Sequence, residues 1–184
     1  MTYKVGVIIG SLSKVSINRK LALALMKLAP ENLTLAEIPI SDLPLHNRDS
    51  EIDYPESVKV FKSGIVEVDA LIFVTPEYNR SIPAPLKNAL DWGSRPKGSN
   101  AFSRKPAAVI GASTGVIGTA VAQQHLRNIL ACLNCPTLGQ PEVFIHMKED
   151  LITEDGEVSV ESTREFLRKW LVTFDSFATR FLRD

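Results

Sequence analysis

Short runs of almost wholly apolar, β-rich residues recur along this chain. They alternate with longer segments whose apolar residues return every three or four positions. Residues 4–9, 33–38, 69–75 and 105–111 read as strands, and 137–145 as a fifth strand or strand-like segment. Ile17, Leu21, Ala24, Leu25 and Leu28 share one face of a first helix that ends before Pro30. Val58, Phe61, Ile65 and Val68 do the same within 55–68, and further helices are expected over 84–92 and 116–133, the latter with Val116, Ala120, Leu126, Ile129, Leu130 and Leu133 as its stripe. After a turn at Asp155-Gly156 a last helix is expected. Ser162 and Glu165 are spaced to form its capping box, and Phe166, Leu167, Trp170, Phe174, Phe177, Ala178 and Phe181 form its apolar stripe. Strands apolar on both faces belong in a parallel sheet covered on both sides. Right-handed crossovers then give an α/β, doubly wound, five-stranded parallel sheet with helices on both faces. The chain has 184 residues and shows no repeat, low-complexity tract or linker, so one domain over 1–184 is expected.

In such a sheet, ligands bind beyond the carboxyl ends of the strands, where strand order reverses. The first strand is followed by GSLSKVSINRK at 10–20. Gly10 lets backbone approach a ligand, while Ser11, Ser13, Ser16 and Asn18 set short polar side chains around a helix N-terminus. With no acid nearby, this is a fitting cradle for a phosphate. Taken alone, the loop is also explained as a serine-rich helix cap with no ligand. It has neither the GxGxxG of a dinucleotide site nor the GxxxxGKS/T of a P-loop. The third strand is followed by TPEYNRSIPAPLKNALDW, stiffened by Pro76, Pro83 and Pro85, where Tyr78 offers a flat ring. The fourth is followed by GASTGVIGTA, where Gly111, Gly115 and Gly118 permit close approach and Ser113 and Thr114 offer polar groups. Together the three loops read as one phosphate contact and two ring-edge contacts of a single ligand, as in a flavodoxin-type FMN site.

These stretches, GSLSKVSINRKLA, VTPEYNRSIPAPLKNALDW and GASTGVIGTAVAQQHLR, are similar in order and spacing to the NAD(P)H-dependent FMN reductases over residues 4–145. That flavodoxin-like family includes chromate and quinone reductases and related azoreductases. The resemblance implies that Ser11, Ser16, Ile17 and Asn18 hold the FMN phosphate. Pro76, Glu77, Tyr78 and Asn79 would border the isoalloxazine, largely through backbone groups, and Ser113, Thr114 and Gly115 would lie along its pyrimidine side. Ser13 stands where the family often has arginine, which leaves Lys14 and Arg19 as the nearby cations. Arg80 stands where several relatives have an aromatic and makes the substrate side more cationic. The implied chemistry is ping-pong hydride transfer from NADH or NADPH to FMN, then to quinones, flavins, chromate or azo dyes. No side chain need act as a catalyst, and His46, His125 and His146 are not expected to do so. The family also implies a homodimer or homotetramer.

Composition narrows the alternatives. Lys plus Arg equals Asp plus Glu at 21 each, which gives no electrostatic case for nucleic acid. The same balance argues against the acidic surface of a flavodoxin-like carrier that shuttles electrons without oxidising nicotinamide, the main competing function. A signalling receiver domain would need acids after the first strand, and there are none. Cys132 and Cys135 form a CxxC pair at the end of a helical segment, whereas redox pairs open a helix. No second Cys/His pair completes a metal site, so two semi-buried thiols are expected. The N-terminal apolar run is too short for a secretory signal and no stretch is long enough to span a membrane, so the cytoplasm is the expected compartment.

Overall fold

A computed structural model describes residues 2–182. Its strands are β1 (Tyr3–Ile9), β2 (Leu33–Glu37), β3 (Ala70–Val74), β4 (Ala107–Ser113) and β5 (Phe144–His146). The α-helices are α1 (Ile17–Leu28), α2 (Glu56–Val66), α3 (Ala84–Gly93), α4 (Ala120–Cys132) and α5 (Glu161–Leu182), with a 3-10 turn at Arg48–Glu51. The strands form one sheet in the order β2-β1-β3-β4-β5, with every neighbouring pair parallel. This is the flavodoxin-like order.

Period-two alternation divides the core between the two faces of the sheet. Val5, Val7 and Ile9 of β1, with Ile72, Val74 and Ile110, pack against Leu21 and Leu25 of α1 and Leu167, Trp170 and Phe174 of α5. Ile8, Leu71, Phe73 and Val109 point the other way, against Phe61 and Ile65 of α2, Leu86 and Leu90 of α3, and Leu126 and Leu130 of α4. β3 is buried along its whole length, as its unbroken apolar run requires, whereas the edge strand β2 is only half covered. Because β1 lies between β2 and β3, the chain leaves β1 toward α1 on one face and leaves β3 toward α3 on the other. The two loops diverge there and open a crevice at the carboxyl edge.

Several element ends shift by a residue or two, and four differences from expectation have a physical reason. β4 runs two residues later than read, to Ser113. The segment 137–145 is not one strand: Thr137 makes a single bridge to Ala107, and the ladder holds only at Phe144–His146. Gly139 and Pro141 intervene, and proline has no N–H to donate. α4 starts at Ala120 rather than 116, because Gly118 at φ 64° turns the chain first and its N–H donates to the carbonyl of Gly115 at 3.0 Å. Val116, read as part of the helical stripe, is instead 81% exposed. Finally, α5 already includes Ser162 in its first turn, so no capping box forms at Ser162 and Glu165. Its buried stripe is Leu167, Trp170, Leu171, Phe174 and Ala178, while Phe166 and Phe181 face outward.

Candidate active site

The loop after β1 is pinned at both ends. The Gly10 N–H donates to the carbonyl of Val74 at 2.8 Å, and a Cβ on Gly10 would lie 3.2–3.3 Å from Leu86, Pro76 and Pro83. The chain therefore leaves β1 pressed against the loop that follows β3. Ser16 is the N-cap of α1: it is extended (φ −75°, ψ 118°) and its Oγ accepts the Arg19 N–H at 3.2 Å. The Ile17 and Asn18 N–H groups have no backbone partner among the described residues. The first turn of α1 holds no acid. Ser11 is buried, and its Oγ accepts a long 3.4 Å bond from the Ser13 N–H, while Ser13 and Lys14 are exposed.

Two residues of this loop are committed elsewhere. Asn18 is 1% exposed, and its side-chain amide pairs with the Ala112 backbone in both directions, at 2.9 Å each way. The Arg19 guanidinium is gripped bidentately by Glu37 at 2.7 and 2.8 Å. Lys14 is thus the one cation of the expected pair without a carboxylate partner among the described residues. Ser11, Ser13, Lys14 and Arg19 line a cleft of about 230 Å³, with Glu37 in its wall beside Arg19.

Beyond β3, Thr75 is buried and Pro76 continues the buried wall. Residues 78–81 form a tight hairpin: Tyr78 N–H to Ser81 carbonyl and Ser81 N–H to Tyr78 carbonyl are both 2.9 Å. Its central residues, Asn79 at φ 50° and Arg80 at φ 64°, carry the two positive φ angles of a type I′ turn. Tyr78 is 54% exposed. Glu77 turns its carboxylate inward: Oε2 accepts the Val121 and Ala122 N–H groups of α4 at 3.0 and 3.1 Å.

Near the end of β4, a Cβ on Gly111 would lie 2.1 Å from the Thr75 carbonyl oxygen and 2.2 Å from Thr119 Oγ1, so only glycine lets the segments after β3 and before α4 pack so closely against the strand. Ser113 Oγ accepts the Gly115 N–H at 3.1 Å, and Thr114 is exposed. Glu77, Asn79 and Arg80 on one side and Ser113, Gly115 and Gly118 on the other enclose a cleft of about 390 Å³. Three loops distant in sequence thus meet at one edge: a helix N-terminus with free donors beside two rigid walls. His125 lies on α4 with Nδ1 3.1 Å from Ser81 Oγ.

The sequence profile of the NADPH-dependent FMN reductases matches residues 3–150. The chain belongs to this family. A 2-hydroxy-1,4-benzoquinone reductase from Burkholderia sp. is 45% identical over 184 residues, spanning 100% of this chain and 98% of that one. A quinone reductase from Pseudomonas putida is 45% identical over 176 residues, covering 95% and 94% of the two chains. Among solved structures, the flavoenzyme NAD(P)H:(acceptor) oxidoreductase FerB from Paracoccus denitrificans superposes with a TM-score of 0.93 at 42% identity, over 98% of this chain and 99% of that one. In this FMN reductase family member, the sequence pattern concealed the partners of Asn18, Arg19 and Glu77. Those contacts join positions 94, 18 and 44 residues apart, and no local spacing encodes them.

The two cysteines are both free: Cys132 is exposed at the end of α4 and Cys135 is buried. Burial pushes the Cys135 thiol up to about 12 and its Sγ donates to the Lys105 carbonyl at 3.0 Å, so it is an inert core thiol. Among the described residues no group of His, Cys, Asp or Glu could hold a metal ion, and no helix is long and apolar enough to cross a membrane.

Proposed function

We propose that the chain binds FMN in this crevice and is an NAD(P)H-dependent quinone reductase. The observation that carries the reading is the N-terminus of α1, whose first turn holds no acidic residue and whose Ile17 and Asn18 N–H groups have no backbone partner among the described residues, beside the glycine- and proline-built walls after β3 and β4. That donor set fits a phosphate joined to a flat ring. Of the helices whose N-termini open here, α4 already pairs its Val121 and Ala122 N–H groups with the Glu77 carboxylate, whereas the Ile17 and Asn18 N–H groups of α1 meet no carboxylate among the described residues, which favours a ligand with its phosphate toward α1.

Ser11, Ser13 and Ser16, with the Ile17 and Asn18 N–H groups, take the phosphate in this account, and Lys14 adds charge. Pro76, Glu77, Tyr78, Asn79 and Arg80 border one edge of the ring, and Ser113, Thr114 and Gly115 the other. Bound FMN supplies the redox chemistry, accepting hydride from NADH or NADPH and passing it to an acceptor. The residues bind and orient, and none need act as an acid or nucleophile. The quinone-reducing relatives support a quinone as acceptor; free flavins, chromate and azo dyes are further acceptors that an accessible reduced ring would reach. Arg80 favours anionic acceptors through its exposed guanidinium. We extend the reading to a cytoplasmic homodimer or homotetramer.

Fluorescence titration with FMN and riboflavin tests the ligand. Ser16→Gly removes the hydroxyl at a stability cost of only a few tenths of a kcal/mol. It should weaken FMN severalfold and leave riboflavin unchanged. Wild-type protein that quenches neither flavin contradicts the reading.

A further inference from the structure

We propose that the Glu77 carboxylate is a positioning residue that locks the two ring-side loops to each other, an inference that rests on the FMN reading above. The side chain is 11% exposed and lies across the boundary between the hairpin after β3 and the loop that feeds α4. The N-cap residue Thr119 makes no side-chain cap, because its Oγ1 is turned to the Gln123 amide at 2.9 Å. The first turn of α4 holds no acid of its own. Glu77, 44 residues earlier, supplies the missing anion by accepting the Val121 and Ala122 N–H groups. The hairpin is tied to α4 a second time where Ser81 Oγ meets His125 Nδ1 at 3.1 Å, and Glu77 Oε1 lies 3.6 Å from Arg80 Nη1.

The consequence is geometric. Loop 114–119 runs directly into the turn that Glu77 caps, so its carboxylate, backed by the Ser81–His125 contact, holds the spacing of the two walls of the 390 Å³ cleft. The phosphate cradle at α1 is held by other bonds, the Ser16 cap and the Asn18–Ala112 pair. Removing the Glu77 charge should therefore loosen the ring wall and spare the phosphate end. An ordinary helix cap would change stability alone.

The test separates ring from phosphate with three ligands: lumiflavin, which carries the ring without the ribityl phosphate, riboflavin and FMN. Each is titrated by fluorescence into wild-type, Glu77→Gln, Glu77→Asp and Ser16→Gly proteins, with melting temperatures of the ligand-free forms alongside. Glu77→Gln is expected to weaken lumiflavin and FMN by the same factor, about tenfold, since a charged acceptor of two N–H bonds is lost. Ser16→Gly is expected to weaken FMN alone. Glu77→Asp keeps the charge on a stem one methylene shorter and should fall between wild type and Glu77→Gln; if the Gln variant does not fold, the Asp variant decides. Wild-type affinity for lumiflavin in a variant with a lowered melting temperature would overturn the proposal, reducing Glu77 to a cap. Loss of FMN binding with lumiflavin binding intact would overturn it too, by assigning the carboxylate to the phosphate end. If wild-type protein bound none of the three, the FMN reading itself would fall.

Discussion

Asn18 and Ala112 are joined by two hydrogen bonds of 2.9 Å, the Asn18 amide donating to the Ala112 carbonyl and accepting its N–H. The pair ties the first turn of α1 to β4, two strands away from the strand that precedes the helix. It fixes where the N-terminus of α1 points relative to the loop after Ser113. Asn18→Ala would leave two buried backbone groups unpaired. We expect a loss of about 2–4 kcal/mol in urea unfolding of the ligand-free protein. A loss below about 1 kcal/mol would show that water or a shifted backbone replaces the amide.

The Arg19–Glu37 pair makes a prediction of opposite sign. Glu37 holds the guanidinium beside the serine loop but neutralises it. Glu37→Gln should release Arg19 toward a bound phosphate and tighten FMN about threefold at low ionic strength, with the gain fading as salt is added. Because both side chains are partly exposed, the stability change should stay within about 1 kcal/mol. Titration of both proteins over a salt series checks this, and an unchanged affinity at low salt would contradict it.

Arg80 occupies the second central position of a turn that favours glycine. Its 3.6 Å contact with Glu77 is largely solvent-exposed on the arginine side and offsets little. Arg80→Gly should leave the thermal midpoint unchanged or raise it, because relief of the positive φ balances the greater freedom of the unfolded chain. Arg80→Val should lower stability by about 1–2 kcal/mol, since a β-branched residue resists φ 64°. Thermal melts of the two variants decide, and a Val variant as stable as wild type would contradict the turn assignment.

Cys135 couples stability to alkaline pH. Burial keeps the folded thiol protonated up to about 12, against an ordinary value of 9.0. The folded state therefore retains a proton that the unfolded chain releases. This contribution is fully present below pH 9 and is lost as pH rises from 9 toward 12. Unfolding free energies measured between pH 8 and 10.5 should fall less steeply for Cys135→Ala than for wild type. In the native protein iodoacetamide should modify Cys132 alone, and both thiols once urea is added, as intact-mass measurement would report. Native modification of Cys135 would contradict its burial.

Much of the architecture is legible in the chain because apolar runs such as DALIFVT leave a strand no exposed face. Ser16 is legible for a similar reason, since a hydroxyl before a helical stripe acts within three residues of itself. Val116 differs from expectation. It continues the apolar period of α4, but the backbone turn at Gly118 leaves it exposed, and a turn of that kind outranks hydrophobic period. Of the strand or strand-like segment expected at 137–145 only a bridge at Thr137 and a short strand at Phe144–His146 form, because Pro141 interrupts a β-rich stretch. Glu77 was legible as a candidate for the site and lines the cleft, but its bond to α4 is tertiary and leaves no trace in local spacing.

The central claim is that the crevice at the β1/β3 switch point carries hydride chemistry through FMN. The direct measurement is anaerobic mixing of FMN-saturated protein with NADH or NADPH, followed by a benzoquinone, while the visible flavin band is recorded. The account predicts that the band bleaches with at least one nicotinamide and returns in full when the quinone is added. A band that persists under an excess of both nicotinamides would contradict it.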